Sequence, residues 1–231
     1  DRIYGILNGT CNYILTEMAQ SGRDFSDVLD AAQALGYAEA DPSLDIDGID
    51  AAHKLAILAS VAFGTALDFD GTHVEGIRHI SPIDIEFARE LGFGIKLLGV
   101  AARTADGFEQ RVHPCMVPQA APINHVSGVF NGIAVDGDFV DTTIYEGRGA
   151  GAGPTASAVV ADILDIANAN PVPVFGIPAR NLKPSQTVDM GRHRGAYYVR
   201  LTVVDKPGVF ADIAAILRDH EVSMESVLQR G

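Results

Sequence analysis

The spacing of apolar residues predicts four helices in the first part of the chain. Apolar side chains recur there every three or four positions, and Ser, Asn, Pro and Gly residues mark the segment ends. The first predicted helix ends at Gly22, and the others lie at residues 26–36, 49–63 and 81–92. Asn8 or Thr10 is the expected cap of the first helix. The third is apolar on most sides, which predicts a helix buried in the core.

An alternation of apolar and polar residues follows, which is typical of β-strands. It predicts two antiparallel pairs, one joined by a tight turn at 104–107 and the other by a turn at 136–138. The paired segments are 95–102 with 109–117, and 126–135 with 139–145. Antiparallel pairs between helices predict an α+β domain whose antiparallel sheet has helices over one face.

The last third of the chain predicts a change of domain. A helix expected at about 155–169 closes a first domain of residues 1–169, and the Pro-rich, aperiodic residues 170–195 predict a linker. Strand, helix and strand are then expected at 197–204, 209–220 and 222–228. These three elements alone cannot bury both faces of a small sheet, so we expect the second unit, residues 196–231, to be partial.

Composition narrows the classes of protein that this chain can represent. Of its 231 residues, 47% are hydrophobic and 20% are charged, which is typical of a globular protein. A formal charge of −13 argues against nucleic-acid binding, which needs a basic surface. The most apolar stretch, 55–64, is too short to cross a bilayer and the start lacks an export signal, so a cytoplasmic protein is expected. We expect both ends to be cut ends, because the chain starts without Met and stops after an apolar alternating stretch.

Carboxylates are concentrated just before and within the third predicted helix. Five of them precede Lys54 with no cation between: Glu39, Asp41, Asp45, Asp47 and Asp50. Asp50 lies one helical turn from Lys54, and Asp47 a further turn back on nearly the same line. Such carboxylates would hold a substrate ammonium while the lysine, kept protonated by them, donates a proton to a substrate oxygen. The alternatives are a solvated acidic loop or a calcium loop beside an ordinary helix ion pair, and the spacing does not fit a calcium loop.

A glycine-dense turn at 146–155 is the second candidate site. Its alternate glycines, just before a predicted helix, let the backbone approach a flat or phosphorylated ligand closely. It lacks the Lys of a Walker loop and the parallel strands of a dinucleotide-binding motif, so a plain tight turn is the alternative. Neither the histidines nor Cys11 and Cys115 have the spacing of metal ligands, so neither a metal site nor a disulfide framework is predicted.

Four segments of the sequence closely resemble homoserine dehydrogenase, and they occur in that family's order. They are GILNGTCNYIL at 5–15, LGYAEADPSLDIDGIDAAHKLAILA at 35–59, LGFGIKLLGVA at 91–101 and GRGAGAGPTASAVVADI at 147–163. The tail, YYVRLTVVDKPGVFADIAAIL at 197–217, is similar to the start of an ACT domain, an amino-acid-sensing module.

The resemblance implies an NAD(P)-dependent oxidoreductase that interconverts L-aspartate 4-semialdehyde and L-homoserine, on the route to threonine, methionine and isoleucine. Lys54 matches the family's proton donor. Residues that match or border the family's substrate site are Glu39, Asp45, Asp50, Thr10 and Tyr37. The glycine loop that touches the nicotinamide end of NADP or NAD is matched by Gly149, Ala150 and Gly151.

The resemblance also shows what the sequence lacks. In the family a nucleotide-binding domain precedes these segments, and without it a preference for NAD or NADP is not decided. Threonine is the effector implied for the ACT-like tail, and a homodimer or homotetramer is the expected assembly. Two other interpretations are an amino-acid-sensing protein with a degenerate catalytic domain, and an oligomerisation core whose strand edges pair across a two-fold axis.

We therefore predict that the 231-residue chain by itself does not reduce L-aspartate 4-semialdehyde. The physical reason is that most of the surface that binds the cofactor belongs to the nucleotide-binding domain. A steady-state assay with NADH and with NADPH measures this directly. Normal turnover with either cofactor would contradict the prediction.

Overall fold

A six-stranded sheet organises the structure, a computed structural model that describes residues 2–169 and 174–230. The strands are β1 (Arg2–Ile6), β2 (His73–Val74), β3 (Phe93–Thr104), β4 (Gly107–Pro118), β5 (Phe130–Asp136) and β6 (Thr142–Arg148). They follow one another across the sheet in the order β2, β4, β3, β1, β5, β6. Every pairing is antiparallel except the short one between β2 and β4. The predicted α+β class, with its antiparallel sheet, is confirmed.

Helices occupy the segments in which the apolar spacing predicted them. The described residues form α1 (Gly9–Ser21), α2 (Phe25–Ala34), α3 (Ser43–Ile46), α4 (Ile49–Phe63), α5 (Pro82–Glu90), α6 (Ala152–Ala167) and α7 (Val209–Asp219). Asn8 is the cap of α1, since its side-chain oxygen accepts a hydrogen bond from the Cys11 backbone N–H at 2.8 Å. Gly22, with a φ of 69°, ends that helix in the left-handed conformation. Among these helices none has the length and hydropathy needed to cross a bilayer.

The short helix α3 lies in the acidic segment that precedes α4. Its first turn forms because the Asp41 carboxylate accepts a hydrogen bond from the Ser43 backbone N–H at 3.1 Å. Gly48, with a φ of 82°, then turns the chain from α3 into α4. The segment therefore has a defined conformation, and it carries Asp45 and Asp50 on two successive helices.

Two apolar clusters lie on opposite faces of the sheet, because neighbouring residues of a strand point to opposite sides. Leu97 belongs to the larger cluster, which α1 and α4 cover with residues such as Ile14 and Leu55. Leu98 belongs to the smaller cluster, which includes Ile123 of a 3₁₀ turn at Pro122–His125. The prediction that helices cover one face is confirmed, and the cover of the second face is the 3₁₀ turn.

Two expectations are wrong, one about the burial of α4 and one about the bounds of the second strand pair. Helix α4 is not buried on most sides, since Ile57 and Val61 are 53% and 44% exposed. Hydrophobicity determines which side chains gain from burial, but it does not ensure that the same chain supplies a cover. The second strand pair is shifted along the chain: β5 begins only at Phe130, after Gly128, whose φ of 61° interrupts the extended backbone. Its partner is β6, which begins at Thr142 rather than at residue 139.

The strands expected at 197–204 and 222–228 do not form in the part of the chain that the structure describes. An alternating pattern predicts a strand only where a neighbouring strand completes the hydrogen bonds, and no such pairing is present among the described residues. Polar contacts to α5 hold the first segment instead: Tyr198 and Arg200 both donate hydrogen bonds to Asp84. Burial and the neighbouring Asp84 raise the pKa of Tyr198 to about 12.

The predicted linker is irregular over residues 174–195, apart from 3₁₀ turns at Ala179–Asn181 and Met190–Arg192. Residues 170–173 lie outside the described residues. The linker packs on the sheet, because the Val188 N–H donates to the Phe108 carbonyl and the Phe108 N–H donates to the Gln186 carbonyl. The division of the chain at residues 169 and 195 stays a prediction.

Replacing Gly5 with alanine tests how tightly the central strand is packed. A Cβ at this position would lie 2.5 Å from the Gly132 carbonyl oxygen on β5, and the backbone of one strand would have to move. We expect Gly5→Ala to lower the free energy of unfolding by about 1–3 kcal/mol, as overpacked cores do. Urea unfolding of Gly5→Ala and of the control Gly147→Ala, where a Cβ meets nothing within 4 Å, gives the comparison. Equal losses in both variants would contradict this account.

Candidate active site

Lys54 of α4 lies beside the junction between β1 and α1. Its ammonium donates one hydrogen bond to Asp50 Oδ2, at 2.7 Å, and another to the Leu7 backbone carbonyl, at 3.2 Å. An ammonium has three N–H donors, and the third has no partner within the described residues. The Lys54 side chain is 50% exposed, so this third donor can be reached by a small molecule.

Asn8 joins two of the predicted carboxylates. Its side-chain amide donates to Asp45 Oδ1 at 2.7 Å and to Asp50 Oδ2 at 2.9 Å. Asn8 is only 5% exposed, whereas Asp45 and Asp50 remain partly open to solvent. Each carboxylate keeps a second oxygen that has no hydrogen-bond partner in the described part of the chain. The structure thus brings Asp45, Asp50 and Lys54 together, and their role as one substrate site stays a prediction.

Cys11 contacts the same cluster from the interior of the protein. Its side chain is fully buried, and its thiol donates a hydrogen bond to the Asp45 backbone carbonyl at 3.1 Å. Burial raises the pKa of the Cys11 thiol, and the negative charge of Asp45 raises it further. The thiol therefore stays protonated, and Cys11 acts as a small buried side chain.

Asp47 does not join the cluster, although its position on the predicted helical line suggested that it would. Its carboxylate pairs with the Arg78 guanidinium, which also donates a hydrogen bond to the Ser43 hydroxyl. The Arg78 hydrogen bond holds the pKa of Asp47 below its usual value. The expectation failed because Asp47 precedes α4, where the chain turns at Gly48 and the helical line no longer applies.

Thr10, Tyr37 and Glu39 make no hydrogen bond to Asp45, Asp50 or Lys54 within the described residues. The Thr10 hydroxyl donates to the Tyr37 backbone carbonyl at 2.8 Å, which ties the segment after α2 to the start of α1. The Glu39 backbone carbonyl accepts a hydrogen bond from the Gln33 amide at 2.8 Å. Glu39 is exposed and its carboxylate makes no hydrogen bond to Lys54 or to any other described residue. Among the predicted substrate residues, Asp45 and Asp50 are joined through Asn8, and Thr10 is joined to Tyr37. Glu39 has no hydrogen bond to any of these four in the described part of the chain.

The glycine-rich loop approaches the same end of α1. A Cβ on Gly149 would lie 2.8 Å from Asn131 Oδ1, and a Cβ on Gly9 would lie 3.6 Å from the same atom. The Asn131 side chain therefore packs against both Gly9 and Gly149. Ala150 and Gly151 are exposed, and Gly151, with a φ of 110°, precedes α6. The structure thus brings the predicted loop next to the start of α1.

Two functional candidates were not identified from the sequence. Asn8 was interpreted only as a helix cap, because its two carboxylate partners are far away along the chain. Lys96 of β3 is 6% exposed and donates to the Val126 carbonyl at 2.6 Å and to Asn12 Oδ1 at 3.3 Å. A lysine within an otherwise apolar strand was the available signal for it.

The fold and this site define a class of protein: an α+β domain in which a lysine ammonium and two carboxylates line a site open to a small polar molecule. Over the described ranges no group of three or more His, Cys, Asp or Glu residues is arranged to hold a metal ion. The sequence profile of the homoserine dehydrogenase family matches residues 1–164, which is more than half of the chain. The chain belongs to the homoserine dehydrogenase family.

Individual relatives give the same result. The chain is 49% identical over 232 residues to the homoserine dehydrogenase of Pseudomonas aeruginosa, covering 98% of this chain and 54% of that protein. A crystal structure of the Thiobacillus denitrificans enzyme matches all of this chain and 55% of its own, at a TM-score of 0.90 and 43% identity. A hyperthermophilic archaeal homoserine dehydrogenase in complex with NADPH matches 74% of this chain and 48% of its own, at a TM-score of 0.62 and 29% identity. The chain spans about half the length of these relatives.

The buried lysine at position 96 predicts a pH-dependent stability. Burial lowers the pKa of Lys96 from 10.5 to about 8, so between these values the unfolded chain binds a proton that the folded chain does not. The contribution of Lys96 to stability therefore rises with pH across this window, by roughly 3 kcal/mol at most. We expect the unfolding free energy of the wild-type chain, minus that of Lys96→Met, to increase between pH 8 and pH 10.5. Parallel stability curves for the two proteins, measured by urea unfolding, would show that Lys96 is not the cause.

Proposed function

We propose that this chain is the substrate-binding and catalytic part of a homoserine dehydrogenase, which interconverts L-aspartate 4-semialdehyde and L-homoserine with NAD or NADP. The observation that carries the proposal is the Lys54 ammonium, anchored by Asp50 and the Leu7 carbonyl with one N–H donor left over. A substrate with an ammonium at one end and an aldehyde at the other matches the charges around this lysine. Membership of the family supports the same activity.

The carboxylates bind the amino-acid end of the substrate in this proposal. Asp45 and Asp50 each keep one oxygen without a partner among the described residues, and these oxygens can accept hydrogen bonds from a substrate ammonium. Glu39 supplies a further carboxylate from the exposed segment beside Tyr37. Thr10 holds that segment in place and borders the substrate. Holding the substrate in one orientation lowers the barrier by several kcal/mol.

Lys54 transfers the proton. As the aldehyde carbon gains a hydride, the carbonyl oxygen becomes an alkoxide, and the Lys54 ammonium donates its third N–H proton to that oxygen. The C=O double bond becomes a C–O single bond, an O–H bond forms and an N–H bond of Lys54 breaks. The lysine is half exposed and regains its proton from solvent. In the opposite direction the neutral amine accepts the hydroxyl proton of L-homoserine.

The cofactor, when bound, supplies or accepts the hydride. Residues that fit its nicotinamide end are Gly149, Ala150 and Gly151, because the loop is exposed and its backbone carries no side chain at Gly147, Gly149 and Gly151. A Cβ would meet nothing within 4 Å at Gly147 and only Pro154, at 3.9 Å, at Gly151, so a flat ring can approach the backbone there, whereas Gly149 makes room for the Asn131 side chain. One relative is known in complex with NADPH, which supports NADP as a cofactor for this chain without excluding NAD.

The effector, the assembly, the location and the pathway are proposed from the sequence resemblance. We propose a threonine-responsive ACT module in the tail, a homodimer or homotetramer as the assembly, a cytoplasmic location, and a place in threonine, methionine and isoleucine biosynthesis. The amino-acid sensor with a degenerate catalytic domain is the second candidate, and the intact hydrogen bonds of Lys54 argue against it. Thermal stabilisation of the protein by threonine, without any stabilisation by NAD or NADP, would favour the sensor.

Replacing Lys54 with alanine tests the proton-transfer role. In an enzyme that joins this chain to the nucleotide-binding half of a homoserine dehydrogenase, we expect Lys54→Ala to reduce kcat by about 10²–10⁴-fold. KM changes far less, because the third N–H of the lysine acts on an oxygen whose charge develops only in the transition state. Lys206→Ala, which removes an exposed lysine from the tail, is the matched control. A rise in KM with kcat unchanged would make Lys54 a binding residue instead.

A further inference from the structure

We propose that Asn8 is the positioning residue of the lysine and carboxylate cluster. Its side chain holds Asp45 and Asp50 at a set separation and, through Asp50, determines where the Lys54 ammonium lies. The catalytic consequence of this placement rests on the proposed function. The placement itself follows from hydrogen bonds and burial alone.

The Asn8 side chain uses its acceptor and its donors at the same time. Its Oδ1 accepts from the Cys11 backbone N–H at 2.8 Å, which caps α1. Its Nδ2 donates to Asp45 at 2.7 Å and to Asp50 at 2.9 Å. Because the cap fixes the oxygen, the amide cannot rotate by half a turn, and its two N–H groups must point at the carboxylates. Burial of Asn8 keeps water from competing for these bonds.

Electrostatics explains why the cluster needs such a residue. Asp45 and Asp50 accept hydrogen bonds from the same nitrogen, so their negative charges are close and repel each other. Lys54 neutralises Asp50 directly, but it makes no hydrogen bond to Asp45. The partial positive charge of the Asn8 amide lies between the two carboxylates and offsets their repulsion. Asp50 then presents its Oδ2 to Lys54 from a direction that Asn8 has already set.

No other small capping residue meets these requirements. Aspartate caps a helix as well as asparagine does, but it would place a third carboxylate against Asp45 and Asp50. Serine also caps a helix, but its hydroxyl has one donor instead of two and is shorter. Variants at position 8 can therefore keep the cap of α1 while removing one or both donors to the carboxylates. This separates a positioning role from a purely structural one.

The chain has four lysines, Lys54, Lys96, Lys183 and Lys206, so lysine labelled with ¹³C at the ε-carbon gives only four signals in NMR spectra. We expect the two ε-protons of Lys54 to differ in chemical shift in the wild-type chain, because the ammonium is held by two hydrogen bonds. In Asn8→Ser and Asn8→Asp we expect the Lys54 signals to move towards those of the exposed Lys206. The control is Ser81→Ala, which weakens the cap of α5 and removes no hydrogen bond of Asn8 or Lys54. It should lower stability without moving the Lys54 signals.

Unchanged Lys54 signals in both Asn8 variants would overturn the proposal, and so would a Lys54 that is already mobile in the wild-type chain. If Asn8→Asp does not fold, Asn8→Ser decides the outcome, because it adds no charge.

Titration with L-homoserine is the second measurement. We expect it to move the Lys54 signal of the wild-type chain and to bind at least about tenfold more weakly to the Asn8 variants, each of which loses hydrogen bonds to charged groups. Equal affinities in all three proteins would overturn the positioning role. If L-homoserine binds to none of them while the Lys54 signals still respond to Asn8, the positioning role stands and the proposed substrate is wrong.

Discussion

The site depends on one set of hydrogen bonds, made where β1 passes into α1. Leu7 and Asn8 occupy that junction, and together they bind the Lys54 ammonium and two carboxylates. Both residues are buried, so water does not compete with them as it does at exposed ion pairs. The lysine and the carboxylates are thereby fixed to the central strand of the sheet rather than to a surface loop.

Close approach of the main chain gives this junction its rigidity. β1 lies between β3 and β5, and Gly5 leaves no room for a side chain against the Gly132 carbonyl. Gly9, at the start of α1, is packed in the same way against the Val129 carbonyl. The segment before β5 is fixed in turn by Lys96, a buried cation bonded only to neutral oxygens in the described part of the chain. The lysine and carboxylate cluster and the glycine loop therefore both lie beside the same packed strands.

Local interactions explain why so much of the fold could be predicted. Helix caps and three-to-four-residue apolar spacing act within one or two turns, so the end of α1 and both ends of α4 were predicted within a residue. Asp50 and Lys54 were predicted to pair because a helix places residues four apart on one face. Asp47 was misplaced for the same reason, because the helical line does not extend beyond Gly48.

The sequence by itself determined most of the helices, the α+β class, the lysine–aspartate pair and the glycine loop, since each depends on neighbours along the chain or on a recognisable motif. Only the tertiary structure decided that Asn8 bridges Asp45 and Asp50, across 37 and 42 residues, and that Lys96 is bonded to Asn12, across 84. It also decided which apolar faces stay open. Hydrogen bonds and burial depend on distance in space, and residues far apart in a single sequence carry no sign of which of them will meet.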